Sequence, residues 1–178
     1  MGEFLSDIEA IRKRAREHMS SGAVTQSYKG DREKVVKVLN EVLATELVCA
    51  LRYKRHYYMA EGFSSESVKA EFLEHAKDEE RHADMIAERL TQLGGEPDFN
   101  PATLAARSHA QYVEGHNLRS MVEEDLVAER IAIETYSEIV RWLGTNDPTT
   151  RRVIEDVLEQ EEEHAEDMVT LLGRLPQA

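Results

Sequence analysis

Two Glu-x-x-His pairs, Glu79 with His82 and Glu161 with His164, interrupt apolar helical stripes in this chain. Residues three apart are neighbours on one helix face, so each pair presents a carboxylate and an imidazole side by side. Around the first pair the face reads Phe72, Ala76, Glu79, His82, Ala83, Ile86, Leu90. Around the second it reads Ile154, Val157, Leu158, Glu161, His164, Ala165, Met168, Leu172. A helix turns such a stripe toward a core, where an ionised carboxylate is costly unless a cation meets it. The register is specific. Glu80 and Glu162 have alanine three residues on, and Glu163 has Glu166, so these three glutamates belong to a solvated face.

Two further glutamates break apolar stripes: Glu46 in Val35, Leu39, Val42, Glu46, Ala50, Tyr53, and Glu129 in Leu118, Val122, Asp125, Leu126, Glu129, Ile133, Tyr136, Val140. The order Glu, Tyr seven residues on, then Glu-x-x-His occurs twice. Glu46, Tyr53, Glu79 and His82 match Glu129, Tyr136, Glu161 and His164 at offsets of 83, 83, 82 and 82 residues. A duplicated helical hairpin accounts for that regularity. Four carboxylates and two imidazoles converging inside a bundle form a ligand set for two iron or manganese ions, because such ions take oxygen donors together with imidazole. Any one of the six alone would read as a satisfied core group. Six at matched spacing would each add a burial cost if no cation met them.

At 178 residues and 41% hydrophobic, the chain suits one domain with a substantial core. A net charge of -13 argues against general affinity for nucleic acid or anionic membrane and favours attraction of cations. The single cysteine, Cys49, excludes a disulfide framework or thiolate metal site within one chain and reads as a small core residue. No signal peptide or transmembrane run is visible, so the cytoplasm is the expected location.

Residues 1–30 read as an N-terminal extension and 31–178 as the bundle domain. In the extension, Ser6 is expected to cap a short helix reaching Met19, with Ile8, Ile11, Ala15 and Met19 on one side. Its basic cluster, Arg12, Lys13, Arg14 and Arg16, is diluted by Glu3, Asp7, Glu9 and Glu17 and reads as a solvated face or subunit contact. A first long helix is expected over 31–61, closed by Gly62, and a second from Ser64 or Ser65 to Leu93, before Gly94-Gly95. The link from Glu96 to Gly115 must travel back along the bundle, with a short helix starting at Asn100-Pro101. A third helix is expected from His116 to Leu143, ending at Gly144, and a fourth from the Asp147-Pro148 cap to Leu172, before Gly173 and Pro176. The expected fold class is therefore all-α, a four-helix bundle with one long crossover between the second and third long helices.

Four segments carry a resemblance to known proteins: Thr45-Glu46-Leu47-Val48 with Tyr53, Asp78-Glu79-x-x-His82-Ala83-Asp84, Asp125-Leu126-x-x-Glu129, and Glu161-x-x-His164. In these the chain resembles the ferritin-like superfamily, most of all bacterioferritin and the bacterioferritin-like Dps-type proteins, from Lys34 to Leu172. The resemblance implies that Glu46 and Glu129 are terminal carboxylates, that Glu79 and Glu161 bridge two metals, and that His82 and His164 take one metal each. Tyr53 would stand beside the ligands; it or Tyr136 could give a hydrogen bond or an extra electron. His75, one turn before Glu79, reads either as part of the metal's approach or as an ordinary core or surface histidine. His18, His56, His109 and His116 show no partner pattern.

By resemblance the expected function is oxidation of ferrous iron by dioxygen or hydrogen peroxide at an intra-subunit site for two iron ions per subunit, which manganese or zinc could occupy instead. Ferric mineral would be stored in a homo-oligomeric cage. The alternatives are a peroxidase or manganese-catalase type of enzyme without storage, and a Dps-like DNA-protecting protein, against which the net acidity speaks. Bacterioferritins hold haem through a methionine directly after the first motif's glutamate; here that residue is Glu80, which argues against haem. Cages of twenty-four subunits carry a fifth helix after the fourth, whereas the residues after Leu172 are few and broken by Gly173 and Pro176, favouring a dodecamer. Archaeal Dps-like members carry a cysteine pair near the site, which a chain with only Cys49 cannot supply.

Overall fold

The computed structural model describes residues 7–61 and 65–175, and among these the regular elements are all helical. They are α1 (Ile8–Arg14), a 3-10 turn at Met19–Ser21, α2 (Arg32–Met59), α3 (Ser65–Gln92), α4 (Leu104–Arg107), α5 (Leu118–Leu143) and α6 (Pro148–Arg174). α2 packs along α3 and α5 along α6, and the two hairpins meet α2 to α5 and α3 to α6. The expected crossover bundle is thus the observed one.

Side chains fix where the helices begin. The Asp31 carboxylate accepts from Lys34 N at 3.2 Å to start α2, and Asp147 accepts from Thr150 N at 2.9 Å to start α6, with Pro148 in its first turn. α5 starts at Leu118 rather than His116, because Asn117 and Ser120 form a reciprocal capping box. Gly144, at φ 51, turns the chain from α5 into α6, a conformation that a Cβ would penalise. α6 runs past Leu172 through Gly173 to Arg174, since buried Leu175 carries its N–H to Leu171 O at 3.2 Å and anchors the last turn. Gly62, Ser64, Ser6 and Pro176, named above as helix-ending or capping residues, lie outside the described residues.

The N-terminal helix is shorter than its sequence suggests. It covers Ile8–Arg14, is capped by Asp7 and buries none of its residues. Ile8 and Ile11 stay 45% and 38% exposed, so no packing extends the helix to Met19. Tyr28, further on, donates its hydroxyl to Asp147 Oδ2 at 2.9 Å and packs with Val24 against the core.

The crossover is tied to α2 at successive turns. Asn40 reaches Glu96 O and receives Asp98 N, Thr45 receives His109 N, Arg52 donates to Gln111 O, and His56 lies at Val113 O and Glu114 O. A connection running the length of α2 brings α5 in antiparallel to it. Within it, the helix expected from Asn100-Pro101 begins only at Leu104.

Most buried apolar side chains gather in two large clusters, with a small third one of Cys49, Ala110 and Ala128. One holds Val35, Leu39, Leu43, Ile86, Leu90, Ile139 and Ile154, and the other Tyr53, Phe72, Met121, Val122 and Met168. On α5 the buried line is Val122, Asp125, Ala128, Glu129, Ala132, Tyr136 and Ile139; Leu118, Leu126, Ile133 and Val140 of the expected stripe are only half-buried. Between the two clusters lies a layer of buried carboxylates and imidazoles.

Candidate metal centre

Each of the four long helices sends donors into that layer: Glu46 from α2, Glu79 and His82 from α3, Glu129 from α5, Glu161 and His164 from α6, all buried. His82 Nδ1 lies 3.1 Å from Glu46 Oε2, 3.1 Å from Glu161 Oε1 and 3.9 Å from Glu79 Oε2. His164 Nδ1 lies 3.6 Å from Glu79 Oε1, 3.8 Å from Glu161 Oε2 and 3.9 Å from Glu129 Oε2. Two groups result, Glu46-Glu79-His82-Glu161 and Glu79-Glu129-Glu161-His164, each with its donor atoms within 4.8 Å of one another. Glu79 and Glu161 belong to both.

The tyrosines cross between the hairpins. Tyr53 of α2 donates its hydroxyl to Glu129 of α5, and Tyr136 of α5 donates to Glu46 of α2. Burial first, then the neighbouring carboxylates, pushes both phenols well above their ordinary range, so they remain donors. Burial also pushes the Glu79 and Glu161 carboxyls well up, and the charges of Glu46 and Glu129 add to it. Glu129 goes the other way: burial opposes ionisation, but Glu161, His164, Tyr53 and Arg52 outweigh it. Burial takes His164 down to about 4, leaving a neutral ring. His82 is raised, because its contact with Glu46 outweighs burial.

Four buried atoms, Glu79 Oε1, Glu129 Oε2, Glu161 Oε1 and His164 Nδ1, have no hydrogen-bond partner among the described residues. Buried acceptors left bare cost about 1–3 kcal/mol each. All four sit on residues of the second group, and Glu161 Oε1 also lies 3.1 Å from His82 Nδ1 of the first, so a divalent cation is the partner this chemistry fits.

Three residues to which the sequence assigns no role set the rings. His82 Nε2 lies 2.7 Å from Gln160 Oε1, an amide oxygen that only accepts, so the ring donates there and turns Nδ1 toward the carboxylates. His164 Nε2 faces Asp78 Oδ2 at 3.7 Å and likewise turns Nδ1 inward. Arg81 donates to both Gln160 and Asp78, coupling the two supports. Gln160→Leu is therefore expected to weaken divalent-metal binding about 10–100-fold without unfolding the bundle, measured by competition against a chromophoric chelator.

A family model described as the ferritin-like domain matches residues 36–178. The chain belongs to the ferritin-like family. A bacterioferritin of Desulfovibrio desulfuricans is 31% identical over 140 residues, covering 76% of this chain and 74% of the relative. A DNA protection during starvation protein of Pyrococcus furiosus is 31% identical over 138 residues, covering 75% of this chain and 74% of that one. Among solved structures, the bacterioferritin-related protein from Bacteroides fragilis, described as a dodecameric thioferritin, superposes with a TM-score of 0.79 at 30% identity, covering 82% of this chain and 88% of that one.

This ferritin-like bundle carries a second buried polar group beside the centre. Arg52 Nε donates to Asp125 Oδ1 at 2.8 Å, and His56 Nδ1 meets Asp125 Oδ2 at 2.8 Å. Asp125 interrupts the α5 stripe just as Glu129 does, which was the available signal. Its partners Arg52 and His56 are one helical turn apart on α2. Cys49, one turn before Arg52, is buried, and burial holds its thiol well above the ordinary range. Glu80 is exposed and takes Lys54 as an ion-pair partner, while Glu162 and Glu163 are exposed too. His109 approaches Thr45 and Glu41. No helix among the described residues is long and apolar enough to cross a membrane.

Proposed function

We propose that this chain is a ferroxidase and iron-storage protein that takes ferrous iron as substrate at the paired centre. The observation that carries the reading is the sharing of Glu79 and Glu161 between two donor groups, each completed by one imidazole and one further carboxylate. Such sharing holds two cations side by side, so that each can give one electron to the same oxidant. One hydrogen peroxide accepts two electrons and two protons to give two waters; dioxygen is the alternative acceptor. Carboxylate oxygens favour the ferric product, which suits an oxidising site. The buried layer between two apolar clusters keeps bulk water from the donors, and Tyr53 and Tyr136 hold Glu129 and Glu46 in place.

Storage requires an enclosed cavity, and twelve chains of 20.3 kDa would form a shell of about 240 kDa with closed symmetry. Its bacterioferritin-related neighbour is itself described as dodecameric. Light scattering coupled to size exclusion, followed by aerobic ferrous loading, tests both parts. Twelve chains retaining ferric mineral in the particle are expected. Oxidation without retained mineral would instead indicate a peroxidase or catalase, and a dimer would remove the cage. Because relatives include a DNA protection protein, duplex DNA belongs in the same test; at net charge -13 no salt-sensitive mobility shift is expected. With Glu80 engaged by Lys54, protein expressed with ample haem is expected to show no stoichiometric Soret band.

A further inference from the structure

We propose that Glu71, His75 and Asp167 form a third, mononuclear site for a first-row divalent cation on the solvent side of the paired centre. Glu71 and His75 are successive turns of α3, and Asp167 lies on α6 just beyond His164. Their donor atoms fall within 4.8 Å of one another. His75 Nε2 is 3.4 Å from Asp167 Oδ2 and 4.0 Å from Glu71 Oε2. Donors held at about 2.0–2.2 Å from one ion leave spacings of this size between themselves.

The hydrogen-bond inventory around His75 supplies a second, independent reason. Tyr53 gives its only hydroxyl proton to Glu129. The same phenol oxygen lies 3.3 Å from His75 Nδ1, and having no proton left to give, it can only accept there. A ring proton therefore sits on Nδ1, and Nε2 is turned toward two carboxylates, which are acceptors themselves. His75 is only 2% exposed, so its ring cannot turn freely to find water, and it is stacked on His164 at a centroid distance of 4.0 Å. An imidazole nitrogen and two carboxylates converging on one point form a seat for a cation. One imidazole with two carboxylates suits iron(II), cobalt(II) or zinc better than magnesium or calcium, which prefer oxygen alone.

The outer side of the site is open: the Glu71 and Asp167 side chains are 37% and 46% exposed. The inner side touches Tyr53 and His164. An ion held there is one ring away from the paired centre, and if the proposed ferroxidase reading holds, this site stages ferrous ions between solvent and that centre.

The test is anaerobic titration of the full, assembled protein with cobalt(II), read by metal analysis after dialysis and by visible absorption. Wild type is expected to bind three equivalents per chain, and Glu71→Gln/Asp167→Asn two. In the Glu79→Gln/Glu161→Gln background, one equivalent is expected to remain and to vanish when the outer pair is also changed. That last result would uphold the third site even if the paired centre were wrongly assigned. Two equivalents in wild type, unaltered by Glu71→Gln/Asp167→Asn, would overturn the third site and leave the paired centre standing; a proton rather than a metal on Nε2 gives this outcome. Equal loss on changing the exposed neighbour Glu74 to Gln would indicate diffuse surface binding and overturn it as well.

Discussion

Glu79→Ala and Glu161→Ala are each expected to slow ferrous oxidation by more than about 100-fold while leaving the bundle folded. Removing a group that only orients a ligand costs about 10–100-fold, and these two carboxylates stand in both donor groups, so the loss must exceed that. Stopped-flow absorbance of the ferric product measures it, and a wild-type rate in either variant would remove both residues from the centre. The isosteric Glu79→Gln and Glu161→Gln should in addition stabilise the metal-free protein, by roughly 1–3 kcal/mol at neutral pH, because they relieve crowded buried carboxylates. The pH dependence has a definite sign. Both carboxyls are raised well above their unfolded value, burial being the main cause. Their contribution is complete below the ordinary carboxylate range and is lost as pH rises through the raised folded values. Metal-free wild type should therefore lose stability across that window, and the Gln variants should show a flatter profile. Glu129, shifted down, adds an opposite dependence only at more acidic pH.

The largest stability effect is expected from Arg52→Met, at about 3–5 kcal/mol, since removing one partner of a buried pair strands the other. Arg52 and Asp125 are 1% and 0% exposed as side chains. Arg52 also holds Gln111 O at 2.9 Å, so its loss frees the crossover from α2. Urea unfolding would show the lowered midpoint, and limited proteolysis would show faster cutting between α3 and α5. Pairing Arg52→Met with Asp125→Leu should recover part of the loss, because no unpaired carboxylate is then left in the interior, although His56 Nδ1 and Gln111 O lose their partners. A single variant with an unchanged midpoint would show the ion pair to be incidental.

The convergence of the six side chains could be read from the chain because periodicity exposes polar residues on apolar stripes, and their matched spacing separates them from a lone core group such as Asp125. The helix-ending residues Asp147, Pro148, Gly144 and Leu143 were legible for a similar reason, since capping depends on residues within one turn. What escaped depends on relations between distant segments. His56 has no local pattern and finds Asp125 from another helix, 69 residues away. Gln160 sits among glutamates on a half-exposed face, and only the fold shows that its amide meets His82. The N-terminal helix was overestimated because Ile11 and Met19 repeat at helical spacing, yet periodicity does not say whether a surface exists to receive them. Tyr53 and Tyr136 could be placed near the cluster, but not in their crossed arrangement, which depends on how the hairpins face each other.

That crossed arrangement bears on descent. One carboxylate of each hairpin accepts from a hydroxyl of the other hairpin, so neither half is chemically complete alone. Two identical hairpins meeting about a twofold axis would exchange the same pair of contacts, an isologous interface in which Tyr and Glu trade partners. The 83-residue offset between Tyr53 and Tyr136 matches the spacing that duplication and fusion of such a self-complementary pair would give. In this chain the crossover, tied to α2, keeps the two halves together, so that the exchange of contacts is intramolecular and independent of concentration.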